Sequence, residues 1–147
     1  FVQQEAARKQ TQSTQQILLG AINVYVDEQG VKPLEPGSYE NLPSDAEAKA
    51  SAKAAQRNAL LHEQLMGSEA ARKRLQNLSF DQVVGTDNYA DDEEVFLDGY
   101  GNTMDYQRDG GIGRSAVLVS PGPDGTFGTA ADDDDATDNI RSDGRGG

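Results

Sequence analysis

The chain has 147 residues, 35% of them hydrophobic and 6% aromatic, with no Trp, no Cys and a net charge of −12. That length fits one domain with a modest core, and the missing cysteines exclude a disulfide framework or thiolate metal site. No run approaches the roughly 18 apolar residues of a membrane-spanning helix. The charge is uneven: residues 1–90 carry 9 basic and 11 acidic side chains, residues 91–147 carry 4 and 14. A polyanionic C-terminal part excludes nucleic acid as a partner, since phosphates need a basic face.

Residues 2 to 28 read as one long helix, free of Pro and rich in Gln, Ala, Glu, Arg and Lys. Residues 3–16 are almost wholly polar, whereas Ile17, Leu18, Ala21, Ile22, Tyr25 and Val26 form a stripe of 3.6-residue period. The helix is therefore expected to project from the domain over its first half and to pack over its second. Gly30 and Pro33 end it. The chain opens at Phe1 without an initiator Met, which reads as a fragment or processed form.

Residues 31–43 hold three prolines and form a loop. A second helix is expected from an N-cap at Ser44, with Glu47 completing a capping box and Gly67 placed as a C′ glycine. Ser68 caps a short third helix to about Gln76. His62 reads as an ordinary helix residue. Residues 77–94 give no clear signal. Three short strands are expected at Val95–Leu97, Thr103–Gln107 and Ser115–Ser120, separated by Gly-rich turns. The predicted class is α+β, divided into a helix (1–30), a loop with helical insert (31–94), and a small antiparallel sheet with an acidic loop (95–147).

Beyond Ser120 lie Asp124, the run Asp132, Asp133, Asp134 and Asp135, and Asp138, interspersed with Gly122, Gly125 and Gly128. Two readings stand. One is a solvated acidic tail, the usual fate of a run of like charge. The other is a calcium loop: six to eight oxygen ligands, glycines that turn carbonyls inward, and no His or Cys to favour zinc or copper. It is not an EF-hand, lacking the D-x-[DN]-x-[DN]-G loop. An enzyme is disfavoured, because no residue near Asp98, Asp105 or Ser120 in sequence completes a nucleophile or acid–base pair.

Two segments resemble motifs of the major pseudopilins of type II secretion (general secretion pathway protein G). Asp98-Gly99-Tyr100-Gly101-Asn102-Thr103 resembles that family's Asp-Pro-Trp-Gly-Asn-Pro, and Ser120-Pro121-Gly122-Pro123-Asp124-Gly125 resembles its Ser-Leu-Gly-Ala-Asp-Gly before an acidic calcium loop. Ile17 to Tyr25, followed by Asp27-Glu28-Gln29-Gly30, is similar to the end of the pilin-type long helix. Gly99 and Tyr100 depart from the family's Pro and Trp, the 44–77 insert is longer than usual, and the hydrophobic N-terminal half-helix is missing.

The resemblance implies a pilin-like fold and a non-enzymatic subunit of a homo-oligomeric helical fibre, working with other pseudopilins and secretion-system components. It implies an inner-membrane anchor through the missing helix and a periplasmic domain in a Gram-negative-type bacterium. It also implies calcium held by the Leu118 carbonyl, Asp124 and members of Asp132–Asp135, with carbonyls of Ser120 and Pro123 near enough to join. The alternative it leaves is a minor, tip-located subunit that binds cargo or a surface through the insert.

Overall fold

The computed structural model describes residues 2–78, 84–128 and 139–144. Helix α1 spans Val2–Gln29. It stops where Gly30, at φ +81°, folds its N–H back onto the Val26 carbonyl at 2.7 Å, a left-handed end that glycine adopts without steric cost. Leu18, Ala21 and Ile22 are buried as the stripe requires, but so are Thr11, Thr14 and Gln15. The polar half therefore docks along one face from Thr11 onward, with Gln12, Ser13 and Gln16 exposed on the other. This corrects the expectation that the helix leaves the domain at its apolar stripe. Polarity did not prevent burial, because the side chains satisfy backbone groups of the sheet: the Gln15 amide donates to the carbonyls of Ile140 (2.7 Å) and Leu118 (3.3 Å).

Helix α2 is Ala46–Met66 and α3 is Glu69–Leu75. The α2 cap is Asp45, one residue later than the expected Ser44, with its carboxylate accepting from the Ala48 N–H at 2.9 Å. Asp caps as well as Ser, and a carboxylate gains further from the helix's positive end. Gly67 sits at φ −78°, so its left-handed freedom is unused. The Ser68 hydroxyl accepts from the Ala71 N–H at 3.2 Å and starts α3 as expected.

Strands β1 (Val84–Asp87) and β2 (Glu93–Phe96) form an antiparallel hairpin, Val84 opposite Phe96 and Asp87 opposite Glu93. Its connection is a 3-10 turn, Asn88–Ala90, followed by Asp91 and Asp92 at φ 56° and 60°. A second sheet has the order β3-β4-β5, from Asp105–Gln107, Val117–Ser120 and Ile140–Arg141, all antiparallel. The three expected strands are thus present, the first starting two residues earlier and the other two starting two residues later, but they do not form the single sheet expected: β2 pairs with the unforeseen β1, and β3 and β4 form the other sheet with the unforeseen β5. A bridge between Leu97 and Thr103 links the sheets.

Helix α2 is a wall of the core rather than an appendage. Leu61 and Leu65 join Leu18 and Ile22 of α1, Leu75 of α3, and Phe96, Met104, Tyr106 and Leu118 in one buried cluster. Asn58, fully buried, plugs the junction between the sheets: its amide donates to the Phe96 and Met104 carbonyls (2.9 and 2.7 Å), and its oxygen accepts from the Phe96 N–H (2.7 Å). Among the described residues no helix is long and apolar enough to cross a membrane.

Candidate functional site

The two turns singled out in the sequence lie against each other, and Asp98 joins them. Its side chain is fully buried. Oxygen Oδ1 accepts from the N–H groups of Tyr100 (2.9 Å) and Asn102 (2.8 Å), which folds residues 98–102 into a tight turn. Gly101 occupies the left-handed region there at φ +83°. Oxygen Oδ2 accepts from the Ser120 hydroxyl at 2.5 Å, and Ser120 Oγ in turn accepts from the Gly122 N–H at 3.0 Å. A second strap runs from the Asn102 amide to the Gly122 carbonyl at 3.1 Å. Burial pushes the Asp98 carboxyl upward, opposed by hydrogen bonds from Ser120, Asn102, Tyr100 and Gly101.

Helix α1 is tied to the same point. Thr11 donates its hydroxyl to the Ala7 carbonyl at 2.8 Å and accepts from the Gly99 N–H at 2.8 Å. Gly99 approaches so closely that a β-carbon there would lie 2.2 Å from the Ala7 carbonyl oxygen. Helix, first turn and second turn therefore form one hydrogen-bonded unit.

The second turn carries the expected metal ligands. Gly122 and Gly125 are left-handed, at φ 79° and 74°. Asp124 is exposed and accepts from the Thr126 N–H at 3.0 Å; Pro123 is exposed beside it. Ser120 is buried, with its hydroxyl committed to Asp98. The Leu118 carbonyl accepts from the Ser142 N–H at 2.9 Å and from Gln15 at 3.3 Å, so both its lone pairs are engaged within the protein. Asp132, Asp133, Asp134, Asp135 and Asp138 lie outside the described residues.

Two further oxygens enter that the sequence did not single out. Among the described residues, Thr126 Oγ1 and Asn139 Oδ1 are buried with no hydrogen-bond partner, while the Asn139 amide nitrogen donates to the Phe127 carbonyl at 2.9 Å. Orphaned buried acceptors are costly and uncommon. These two and the Asp124 carboxylate are oxygens of the hard type that calcium takes, a fit in kind of donor alone. Among the described residues no three His, Cys, Asp or Glu side chains are placed to hold a metal.

A cleft of about 560 Å³ opens between the two turns and the β1–β2 hairpin, lined by Asp87, Tyr89, Asn102, Thr103, Gly125 and Phe127. Ser120 is no nucleophile candidate: it is buried and donates to a carboxylate. The chain's one imidazole, His62, packs on the Phe96 ring at 5.1 Å. Thr11 and Gln15 share a helix face with Leu18 and Ile22, but their polarity masked their burial, because the groups they bond come from the fold. Comparison with protein-family models, with curated proteins and with solved structures finds no match to the chain.

Proposed function

We propose that the chain is a structural subunit of a pseudopilus-type fibre of type II protein secretion, with a calcium ion ordering the loop beyond the second turn. The observation that carries this reading is the clasp. The two segments that resemble the pseudopilin motifs, 22 residues apart between Asp98 and Ser120, share a buried hydrogen bond and a second strap through Asn102. A long N-terminal helix laid across small antiparallel sheets is compatible with the layout. Asp124, Asn139 Oδ1 and Thr126 Oγ1 would hold calcium together with carboxylates of the 132–135 run. The ion would supply positive charge that lets the carboxylates approach one another.

In this reading α1 continues upstream into an inner-membrane anchor, the described domain is periplasmic, and partners are copies of the chain and other components of the secretion system. The alternative, a tip subunit binding cargo through the 44–77 insert, is weakened by α2 being a core wall.

The test is the coding sequence upstream of Phe1. The reading requires an apolar run of about 20 residues after a short basic leader, and in vivo crosslinks between copies of the full-length product. A polar upstream region would end it.

A further inference from the structure

We infer that successive copies of the chain meet through a heterologous charged contact, in which the acidic tip of the β1–β2 hairpin of one copy enters a basic cleft of the next. The inference rests on the fibre reading above and names the surfaces that reading leaves unassigned.

The cleft, about 460 Å³ in volume, lies between the first half of α2 and the β3-β4-β5 sheet. Lys49, Lys53 and Arg57 stand at intervals of four on α2, one helical stripe, and Arg141 faces them from β5. The arginines are neutralised locally. Arg57 bonds both Asp105 oxygens at 3.1 Å, and Arg141 bonds Asp143 at 3.1 Å. Lys49 and Lys53 meet no carboxylate among the described residues. The Lys53 nitrogen stands over the Tyr39 ring, 5.7 Å from its centre. Two cations that meet no carboxylate among the described residues, in a concave site, are conspicuous in a chain of net charge −12.

The complementary feature is convex. Asp91, Asp92, Glu93 and Glu94 follow one another at the hairpin tip, all exposed, and Glu40 and Glu63 border the same face. Of these four, only Glu94 has a basic neighbour among the described residues, His62 at 3.8 Å. The consecutive left-handed Asp91 and Asp92 fix the tip's direction. On α2 the acidic face is marked by Gln56, Ala59, Leu60 and Glu63, and the basic one by Lys49, Lys53 and Arg57. The two sets are turned by about a fifth of the helix circumference and displaced along its axis, and they share no lining residue. Knob and cleft are therefore different surfaces pointing in different directions. Two different patches joined head to tail generate an open array unless the rotation closes. Charge complementarity also offsets the self-repulsion that net −12 imposes on close packing.

The absence of cysteine from these 147 residues allows a direct test. Ala50→Cys places a thiol in the basic cleft and Ser38→Cys places one beside the acidic tip, and neither alters a charge. A short bismaleimide should join a mixture of the two membrane-anchored full-length variants, and each variant alone should give only background dimer. K49E/K53E, and separately E93K/E94K, should reduce the mixed product to background, and combining one doubly reversed surface with the other should restore it. Restoration guards against a variant that merely misfolds. Mixed crosslinking no better than the single-variant controls, or no rescue by the charge swap, overturns the contact. Crosslinks through cysteines on α1 in the same samples would show that the fibre reading survives that failure; no self-association at all ends both. A drop in the melting temperature of K49E/K53E at dilutions where only monomer exists, with crosslinking unchanged, assigns the stripe to a contact within one chain and also overturns the proposal.

Discussion

Asp98 illustrates how one side chain holds two distant turns. Replacing it by Ala leaves the Ser120 hydroxyl and the Tyr100 and Asn102 N–H groups without their acceptor, a loss of about 3 kcal/mol in unfolding free energy. Asp98→Asn keeps an acceptor for the turn and should cost less. The pair also separates charge from shape. Burial raises the Asp98 pKa above its ordinary 3.8, so the native state takes up the proton at higher pH than the unfolded chain does. That contribution is full below 3.8 and is lost as pH rises through the raised native value. Wild type should therefore gain stability relative to Asp98→Asn between about pH 7 and about pH 4 in urea unfolding. A flat difference would show the carboxyl equally acidic in both states, and a narrowing one would show it more acidic in the native state.

His62 moves the other way. Burial lowers its pKa below the ordinary 6.5, and Glu94 opposes this only in part. Its contribution is complete above pH 6.5 and is lost as pH falls through the depressed native value. As the sole histidine, it gives one pair of imidazole C–H resonances in a proton NMR titration. The midpoint is expected below 6.5, and a midpoint at or above that value would contradict the packing on Phe96. In Glu94→Gln the midpoint should fall further.

Among the elements, the docking of α1 depends on a glycine that no rule of turn conformation demands. Gly99 is not left-handed, and its constraint is steric: a β-carbon would overlap the Ala7 carbonyl oxygen and lie 3.0 Å from two further Ala7 backbone atoms. Backbone cannot swing aside as a side-chain end can. Gly99→Ala should cost about 1–3 kcal/mol and should raise hydrogen exchange in the first turns of α1 while the α2 core stays protected. Gly101 tests the contrast, for a β-carbon there would meet nothing within 4 Å and only the positive φ resists substitution; Gly101→Ala should leave α1 exchange unchanged.

The same region shows what sequence reasoning could and could not reach. Helix existence, the Ser68 cap and the three central strands were visible, because each is encoded by neighbours within a few residues. The docking of Thr11 and Gln15 was not. Their partners are carbonyl and N–H groups of residues 99, 118 and 140, supplied by the fold and invisible to local polarity. Strand β5 is two residues long and exists through its partner, Val119 opposite Arg141, so no periodicity could announce it. Asn58 reads as one more polar residue on an alanine-rich helix until the two sheets supply three backbone bonds. At the candidate site the two turns were legible through Gly and Asp placement, whereas the clasp between them required the tertiary structure.

For the whole molecule the governing quantity is the distribution of its −12 charge. Screening and specific binding both lessen repulsion among carboxylates, and they predict different responses. A monovalent salt acts over the Debye length, about 8 Å at roughly 0.15 M, and should change the melting temperature similarly in wild type and in any variant of the second turn. A bound calcium ion acts by mass action, adding about 2.7 kcal/mol at a free concentration one hundred times its dissociation constant, which corresponds to a rise of several degrees for a domain of this size. Metal-stripped protein should therefore melt higher in calcium chloride than in sodium chloride of equal ionic strength. Magnesium should act more weakly, since it dehydrates reluctantly and demands a stricter octahedron. Asp124→Asn should abolish most of the calcium-specific part, and Asn139→Ala should diminish it, with the sodium response of both intact. If calcium and sodium at matched ionic strength give superimposable melts, the acidic segment is a solvated tail and calcium drops out of the proposed function.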